Sequence, residues 1–263
     1  MYLHRLRHWA LFILSSLIIV DGQKQFDPRE ATISSVHNAL YSGESCRSIV
    51  SAFLSRIEAL DDEHINSIIS LDPESISIAS HQDALFASKN ASIGPLFCVP
   101  VLLKDNLDTA SLPTTSGSLA LADSRPSIDA AVVKALKDAG AIILGKTNLQ
   151  ELALEGISVS SLGGQTVNPY DADRTPGGSS GGSGASVAAS FAVFALGTDT
   201  INSVRNPASA NSLFGLRPTR GLVSRAGVVP NSHTQDAVGP ITRSVEDLAI
   251  ALSVIASSQI DPE

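Results

Sequence analysis

GGSSGGSGASVAASFAVFALG, residues 177–197, begins with eight Gly and Ser residues and leads directly into an apolar stretch. A Gly/Ser run can be a flexible linker. A linker would be followed by the start of a new domain, whereas residues 185–197 are apolar enough to require burial. Pro176 also restricts the backbone just before the run. We therefore predict a loop packed against the core, which brings backbone N–H groups and hydroxyls close to a ligand.

Helix and strand patterns alternate on both sides of this loop. FCVPVLL (97–103) and AIIL (141–144) are continuous apolar runs, which is typical of strands buried on both faces. The second run follows a helical pattern over 127–139 that stops at Gly140. Further helices are predicted over 32–40, 45–60, 73–88 and 245–255, and a short strand over 65–71. This succession predicts an α/β protein with a mixed, largely parallel sheet flanked by helices.

Length and composition limit the classes of function. With 263 residues, of which 43% are hydrophobic and 17% charged, the chain can bury the core of one globular domain or two. Its net charge of −8 and the lack of any Lys/Arg cluster argue against nucleic-acid binding. The sequence has no CxxC, HExxH or Cys/His cluster, so we predict no metal site.

Two phosphate-binding motifs are excluded for the Gly/Ser run. A P-loop has a lysine after its second glycine, whereas Ser183 follows Gly182 here. A dinucleotide-binding fingerprint read from Gly182 places Val187 at the third glycine and lacks a hydrophobic strand before it. We therefore predict no cofactor.

The N-terminus is typical of a secretory signal. Arg5 and Arg7 precede a 12-residue apolar stretch, residues 9–20, which is too short to span a bilayer comfortably. We predict a signal peptide over residues 1–22, cleavage before Gln23, secretion, and no stable membrane span afterwards. The alternative is an uncleaved signal anchor. In a secreted chain, the sequon that begins at Asn90 predicts a glycosylation site.

Cys46 and Cys98 leave two possibilities open. They are compatible with one disulfide in a secreted protein. Because Cys46 opens a predicted helix and Cys98 an apolar strand, two separate buried thiols fit the sequence as well.

The loop is open to two kinds of serine chemistry. Residues 178–182 match the G-x-S-x-G nucleophile elbow, but no strand precedes them and His233 is the single downstream histidine, in a polar context. Lys104 offers another base, because it follows the apolar residues 101–103 and would lose solvation there. Desolvation favours the neutral amine, which can activate a serine through intervening hydroxyls.

Six ordered blocks extend the pattern around Lys104 and the Gly/Ser run: VPVLLKDN (99–106), AGAIILGKTNLQE (139–151), NPYDADRTPGGSSGGSGASVAA (168–189), GTDTINSVRNPA (197–208), GLRPTRGLVSRAGVVP (215–230) and DAVGPITRSVEDLA (236–249). Together these blocks resemble the amidase signature family, which includes fatty acid amide hydrolases, peptide amidases and the glutaminase-like A subunits of tRNA-dependent amidotransferases. The resemblance covers most of residues 30–256 and implies the family's α/β fold.

The resemblance also implies roles for particular residues. Ser203 is expected to be the nucleophile, Lys104 the general base, and Ser179 a bridging serine on a cis peptide that relays the proton. Backbone N–H groups of the nucleophile loop are expected to form the oxyanion hole, which comprises Thr200, Ile201, Asn202 and Ser203 itself. Ser180 and Thr198 resemble supporting positions, with Ser180 also near the substrate. Asp199 and Arg205 resemble an ion pair that braces the loop; the alternative is helix capping and surface charge.

The chain departs from the family in two respects. It reads Thr200-Ile201-Asn202-Ser203 where the family commonly reads Ile-Gly-Gly-Ser, so Ile201 is expected to narrow the site. Family members are about twice as long, so residues 23–263 are expected to be a truncated amidase signature domain. The implied function is hydrolysis of a small carboxamide to an acid plus ammonia or an amine. The alternatives are an inactive fragment and an amidotransferase A-type subunit that passes ammonia to a partner.

Overall fold

The computed structural model describes residues 26–88, 93–154 and 156–256. The predicted signal peptide, residues 1–22, and the predicted glycosylation site, Asn90, lie outside these ranges.

The described ranges contain eight β-strands. They are β1 Ile68–Leu71, β2 Pro100–Lys104, β3 Ile142–Thr147, β4 Val159–Ser160, β5 Gly164–Gln165, β6 Phe194–Asp199, β7 Phe214–Gly215 and β8 Ala237–Thr242. Six of them form the main sheet, in the order β1-β3-β2-β6-β8-β7. β2 pairs in parallel with β3 and with β6, and the outer pairs β1–β3, β6–β8 and β7–β8 are antiparallel. β4 and β5 form a separate two-stranded ribbon.

Seven α-helices accompany the strands in the described part of the chain. They are α1 Ile33–Tyr41, α2 Cys46–Leu60, α3 Ser75–Ala87, α4 Ala131–Asp138, α5 Gly181–Ala188, α6 Arg205–Ala210 and α7 Val245–Ile255. Side-chain hydroxyls of Thr32, Ser45 and Ser244 accept hydrogen bonds from the first turns of α1, α2 and α7, which fixes where these helices begin. None of the helices described is long and apolar enough to cross a membrane.

The predicted α/β class is confirmed, and the predicted boundaries shift where local contacts intervene. The strand predicted over 97–103 begins at Pro100, because Cys98 lies in a turn with φ 63°. The strand predicted over 65–71 begins at Ile68, since Asn66 has a left-handed backbone with φ 54°. The helix predicted over 127–139 begins at Ala131, because Ala130 has a non-helical backbone with ψ 150° and the N–H of Ala131 donates to the carbonyl of Ala226 instead of to residue 127.

The Gly/Ser run is part loop and part helix, because α5 begins at Gly181. The first amide groups of α5 find partners outside the helix: Gly181 N–H donates to Ser158 Oγ and Gly182 N–H to the carbonyl of Asn148. A Cβ at position 182 would collide with that carbonyl oxygen, so only glycine fits there. The predicted burial of residues 185–197 is confirmed, and α5 packs against β2 and β6.

A disulfide joins Cys46 to Cys98, with a Cα–Cα distance of 5.6 Å. Both residues are fully buried. The bond links the first residue of α2 to the turn just before β2. Of the two possibilities that the sequence left open, the structure therefore shows one disulfide and not two separate thiols.

Candidate active site

The candidate site forms where the carboxyl ends of β2 and β6 lie side by side. Lys104 is the last residue of β2, and β6 ends at Thr198 and Asp199. Because β2 and β6 run parallel, these ends meet at one edge of the sheet, where ligands commonly bind in α/β proteins. Ser179 reaches the same edge from the loop before α5, and residues 200–203 continue from β6 as the nucleophile loop.

Lys104 makes the central contacts of the site. Its Nζ donates to Ser179 Oγ over 2.7 Å and to Thr198 Oγ1 over 2.8 Å. The side chain is fully buried, as expected for a residue that follows an apolar strand. Burial lowers the pKa of Lys104 from 10.5 to about 7, while the negative charges of Asp199 and Asp236 oppose this shift. Near neutral pH a large share of the amine is therefore uncharged and able to accept a proton.

Ser179 is held by a tightly packed loop. The peptide bond between Gly178 and Ser179 is cis. A Cβ at position 178 would lie 2.6 Å from the backbone of Gly156, so the loop has no room for a side chain there. The carbonyl of Ser179 accepts a hydrogen bond from the N–H of Gln150 over 3.0 Å. Its hydroxyl is therefore presented to Lys104 from a fixed backbone.

Ser203 lies at the start of the segment that leads into α6. The residue is 8% exposed, so solvent reaches it at the margin of the buried site. The N–H of Ser180 donates to the Ser203 carbonyl over 3.2 Å, which joins the two loops. Within the described residues no hydrogen bond connects Ser203 Oγ to Ser179 Oγ. The structure thus brings Lys104 and Ser179 together and leaves the contact between Ser179 and Ser203 unmade.

The nucleophile loop carries a row of free backbone donors. None of the N–H groups of residues 200–203 donates to another residue in the described ranges. Three carbonyls of the loop do have partners. That of Ser203 accepts from Ser180, and the other two accept from residues of α6: Ile201 O accepts from Arg205 Nη2, and Asn202 O accepts from the N–H of Asn206 over 2.7 Å. In a planar trans peptide the N–H points away from the carbonyl. The N–H groups that follow these carbonyls, those of Asn202 and Ser203, are therefore directed away from α6.

Asp199 is buried and both stabilises the loop and caps the helix after it. Arg205 Nε and Nη2 donate to its two carboxylate oxygens over 3.0 and 3.1 Å. The N–H groups of Val204 and Arg205 also donate to Asp199 Oδ2, over 3.2 and 3.4 Å. The ion pair and the capping contact, which the sequence offered as alternatives, are both present. Ile201, by contrast, is 74% exposed at the outer surface of the loop.

Ser180 and Thr198 lie directly behind the site. Ser180 is fully buried and its Oγ donates to the carbonyl of Thr198 over 3.2 Å. Thr198 Oγ1 accepts from Lys104 Nζ and, over 3.0 Å, from Asn106 Nδ2. These contacts hold the end of β6 against the Gly/Ser loop and fix the surroundings of the lysine amine.

Sequence reasoning assigns no role to several polar residues that the structure places near the site. Asn106 contacts Thr198, Arg217 contacts Asp199 just before the nucleophile loop, and Asp236 contacts Thr200 in that loop. Asp105 and Lys146 form a fully buried ion pair, with 3.2 Å between Oδ1 and Nζ. All of these residues lie inside the six blocks. For Asp105 and Lys146, the sequence does hold a signal of burial, because each charged residue closely follows an apolar run, 97–103 or 141–144. Among the described residues, no group of three or more His, Cys, Asp or Glu side chains is placed to hold a metal ion.

Comparisons with known proteins agree with the fold and the six blocks. The Amidase family model matches residues 48–262. The A subunit of glutamyl-tRNA(Gln) amidotransferase from Lawsonia intracellularis is 43% identical over 233 residues, which are 88% of this chain and 47% of that protein. Its counterpart from Methanosarcina acetivorans is 44% identical over 200 residues, or 76% of this chain and 41% of that protein.

Solved structures show the same relationship. Native peptide amidase from Stenotrophomonas maltophilia has a TM-score of 0.84 and 42% identity, and the match covers 88% of this chain and 49% of that chain. A fatty acid amide hydrolase has a TM-score of 0.79 and 25% identity, with coverage of 85% and 40%. The chain thus spans about half the length of the relatives it matches. The resemblance drawn from the six blocks is confirmed, and the expectation that family members are about twice as long agrees with this coverage.

Proposed function

The chain belongs to the amidase family, and on this basis we propose that it hydrolyses a carboxamide C–N bond through an acyl-enzyme on Ser203. The observation that carries the proposal is the contact of 2.7 Å between Ser179 Oγ and the buried amine of Lys104. A buried amine with a pKa of about 7 is matched to proton transfer at neutral pH. We propose Lys104 as the base, Ser179 as the proton relay and Ser203 as the attacking group.

In acylation, a proton moves from Ser203 through Ser179 to Lys104 and later returns to the leaving nitrogen. Neutral Lys104 takes the hydroxyl proton of Ser179, and Ser179 Oγ takes that of Ser203 as Ser203 Oγ bonds to the amide carbon. The carbonyl π electrons move to oxygen. When the C–N bond breaks, the proton on Lys104 returns through Ser179 to the leaving nitrogen, which departs as ammonia or an amine. This path requires Ser203 Oγ to come within hydrogen-bond distance of Ser179 Oγ.

Deacylation uses the same groups with water in place of Ser203. Water attacks the acyl carbon, its proton passes to Lys104 through Ser179, and the ester C–O bond breaks as Ser203 Oγ regains a proton. In both steps negative charge develops on the carbonyl oxygen. The free N–H groups of residues 200–203 are the donors that we propose for this oxyanion.

A panel of carboxamides tests this function through release of ammonia or amine and of the acid. We expect turnover by the chain of residues 23–263, loss of turnover in Ser203→Ala, and wild-type turnover in Ser77→Ala, which removes an exposed hydroxyl on α3. Turnover that persists in Ser203→Ala would contradict the proposed role of Ser203.

The amidotransferase relatives favour a second candidate function. Because the chain is 43% identical to the A subunit of an amidotransferase, a role as an A-type subunit that supplies ammonia to a partner is the alternative. A protein of that kind is expected to depend on its partner, whereas the proposed amidase acts alone. Amide hydrolysis by the purified chain separates the two.

We also propose that residues 1–22 direct the chain into the secretory pathway. The arginines before the apolar stretch support this, and so does the disulfide between Cys46 and Cys98, since disulfides persist in oxidising compartments. N-terminal sequencing of protein secreted by a eukaryotic host is expected to begin at Gln23. Retention in the membrane fraction with Met1 intact would favour the signal anchor. If Asn90 carries a glycan, the secreted Asn90→Gln variant is expected to be lighter than the wild type by the mass of that glycan.

A further inference from the structure

The backbone ladder between β6 and β8 ends just before the nucleophile loop. Its last pair is Asp199 and Ala237, which are the C-terminal end of β6 and the start of β8. At the next position the two chain segments are joined through side chains, because Thr200 Oγ1 donates to Asp236 Oδ1 over 2.7 Å. The backbone N–H of Thr200 takes no part in this contact and stays free for another acceptor.

Asp236 is fixed independently of Thr200. Its second oxygen, Oδ2, accepts from the N–H groups of Asn231 and Ser232 over 2.8 and 2.9 Å. The side chain is buried, with 6% of its residue surface exposed. A carboxylate held by two backbone donors in this way is a rigid point of attachment for the hydroxyl of Thr200.

Arg217 spans the same two strand ends. Its Nε donates to the carbonyl of Asp199 over 3.3 Å and lies 3.3 Å from Asp199 Oδ1, and its Nη2 donates to the carbonyl of Gln235 over 2.6 Å. Because the peptide between Asp199 and Thr200 is planar and trans, its N–H points away from Arg217. Arg217 therefore sets the direction of the first free N–H of the loop.

We propose that Arg217, Asp236 and the hydroxyl of Thr200 are positioning residues for the oxyanion hole. They act on the loop from the β8 side, and Arg205 acts on it from the α6 side. None of the three side-chain groups is proposed to touch substrate. This inference rests on the proposed function, because it gives residues 200–203 a task in stabilising charge on the substrate oxygen.

A purely structural role makes a different prediction for the same contacts. If they serve stability alone, their removal lowers the melting temperature and leaves the chemistry of the folded protein unchanged. If they position donors, their removal slows attack by Ser203 in protein that is still folded.

The test measures the second-order rate constant for phosphonylation of Ser203 by a fluorophosphonate probe, together with the melting temperature. In this reaction charge develops on the phosphoryl oxygen, which occupies the oxyanion hole. Loss of a complete oxyanion donor typically costs about 10²–10³ in rate, so misdirecting one is expected to cost about tenfold. Thr200→Val, which keeps the shape and removes the hydroxyl, should show this fall, and Thr200→Ser should restore the rate. The pH midpoint should not move in Thr200→Val, since no charge is lost.

Arg217→Gln has a close control in Arg220→Gln. Arg220 donates to the carbonyl of Thr234 in the same segment and has no contact with Asp199 among the described residues. Thr219→Val is the control for Thr200→Val, because Thr219 is exposed and lies beside Arg220, outside the nucleophile loop. We expect Arg217→Gln to slow labelling about tenfold or more and both controls to react at the wild-type rate.

Wild-type rates in folded Thr200→Val and Arg217→Gln would overturn the inference, as would an equal loss in the controls. Absence of labelling in the wild-type chain would instead contradict the proposed function. In that case the backbone amide NMR shifts of residues 200–203 provide the test. Thr200→Val and Arg217→Gln must change these shifts and the controls must not; unchanged shifts in the two variants would overturn the inference.

Discussion

At the scale of single residues, the protonation of Lys104 decides when the proposed relay can operate. Burial removes the ammonium form from water, and hydroxyl and carbonyl oxygens of Ser179 and Thr198 replace only part of that hydration. Asp199 and Asp236 raise the pKa again, but burial dominates and leaves it at about 7. The base is therefore half deprotonated near neutral pH instead of being fully charged.

The rate of Ser203 labelling by a fluorophosphonate is expected to rise with pH through a midpoint near 7. The sign follows because the active form of Lys104 is the neutral amine, which is populated above its pKa of about 7. General-base catalysis typically contributes about 10²–10⁴ in rate, so Lys104→Met should lose that much and show no midpoint near 7. Lys134→Met, at an exposed lysine of α4, is the control. A wild-type profile that is flat between pH 5 and 9 would refute the assignment of the base.

Thr198→Val is expected to lower the labelling rate and to move the pH midpoint downward. The Thr198 hydroxyl accepts from Lys104 Nζ over 2.8 Å, and this contact stabilises the charged amine and fixes its direction. Hydrogen bonds to charged groups contribute about 1.5–3 kcal/mol, which corresponds to a change in rate of about tenfold or more. Thr198→Ser retains the hydroxyl and should behave like the wild type. A downward shift of the midpoint is the result that a general loss of stability does not produce.

At the scale of secondary-structure elements, the disulfide connects two parts of the chain that position the site. It closes a loop with a sequence separation of 52 residues between α2 and the turn before β2, the strand that ends in Lys104. A cross-link across such a loop restricts the unfolded chain far more than the folded one.

The double variant Cys46→Ala/Cys98→Ala is therefore expected to lower the free energy of unfolding by about 2–5 kcal/mol. Urea denaturation of the variant, beside the wild type with and without a reductant, measures this. The labelling rate in the absence of urea should be unchanged, since the side-chain partners of the two cysteines in the described ranges are Gln82 and Asp83, which are not site residues. A variant as stable as the oxidised wild type would contradict the predicted contribution of the disulfide.

The sequence predicts the existence of the helices and strands better than their ends. The apolar runs at 97–103 and 141–144 predict β2 and β3 correctly. A strand that is buried on both faces consists largely of consecutive apolar residues, and both runs have this pattern. Boundaries are less accurate where long-range contacts decide them, as at Ala131, whose N–H donates to the distant carbonyl of Ala226. The catalytic assignments to Lys104, Ser179 and Ser203 come from the family resemblance. The roles of Arg217 and Asp236 are not predicted from the sequence, because their contacts with Asp199 and Thr200 join residues 18 and 36 positions apart and leave no local pattern.

At the scale of the whole molecule, one continuous core joins the first and last described helices. Its buried members extend from Ala31 to Ile255. The N–H of Ile33 in α1 donates to Asp247 in α7 over 3.1 Å. Arg243 Nη2 donates to the carbonyl of Ala31 as well. This closure predicts that residues 23–263 unfold as one unit, although the chain spans about half the length of its relatives.

Recombinant residues 23–263 should accordingly show a single cooperative thermal transition. Coincident melting by far-UV and near-UV circular dichroism is the measurement, since both signals then report one all-or-none process. A gradual loss of signal without a transition would instead favour the inactive fragment.

The central claim is that Ser203 is a nucleophile activated by Lys104. Labelling of the folded chain with a fluorophosphonate, followed by mass spectrometry of its peptides, tests this most directly. We predict one phosphonylated residue, Ser203, with labelling abolished in Ser203→Ala and strongly reduced in Lys104→Ala. Labelling that persists in Ser203→Ala, or that is unaffected in Lys104→Ala, would contradict it.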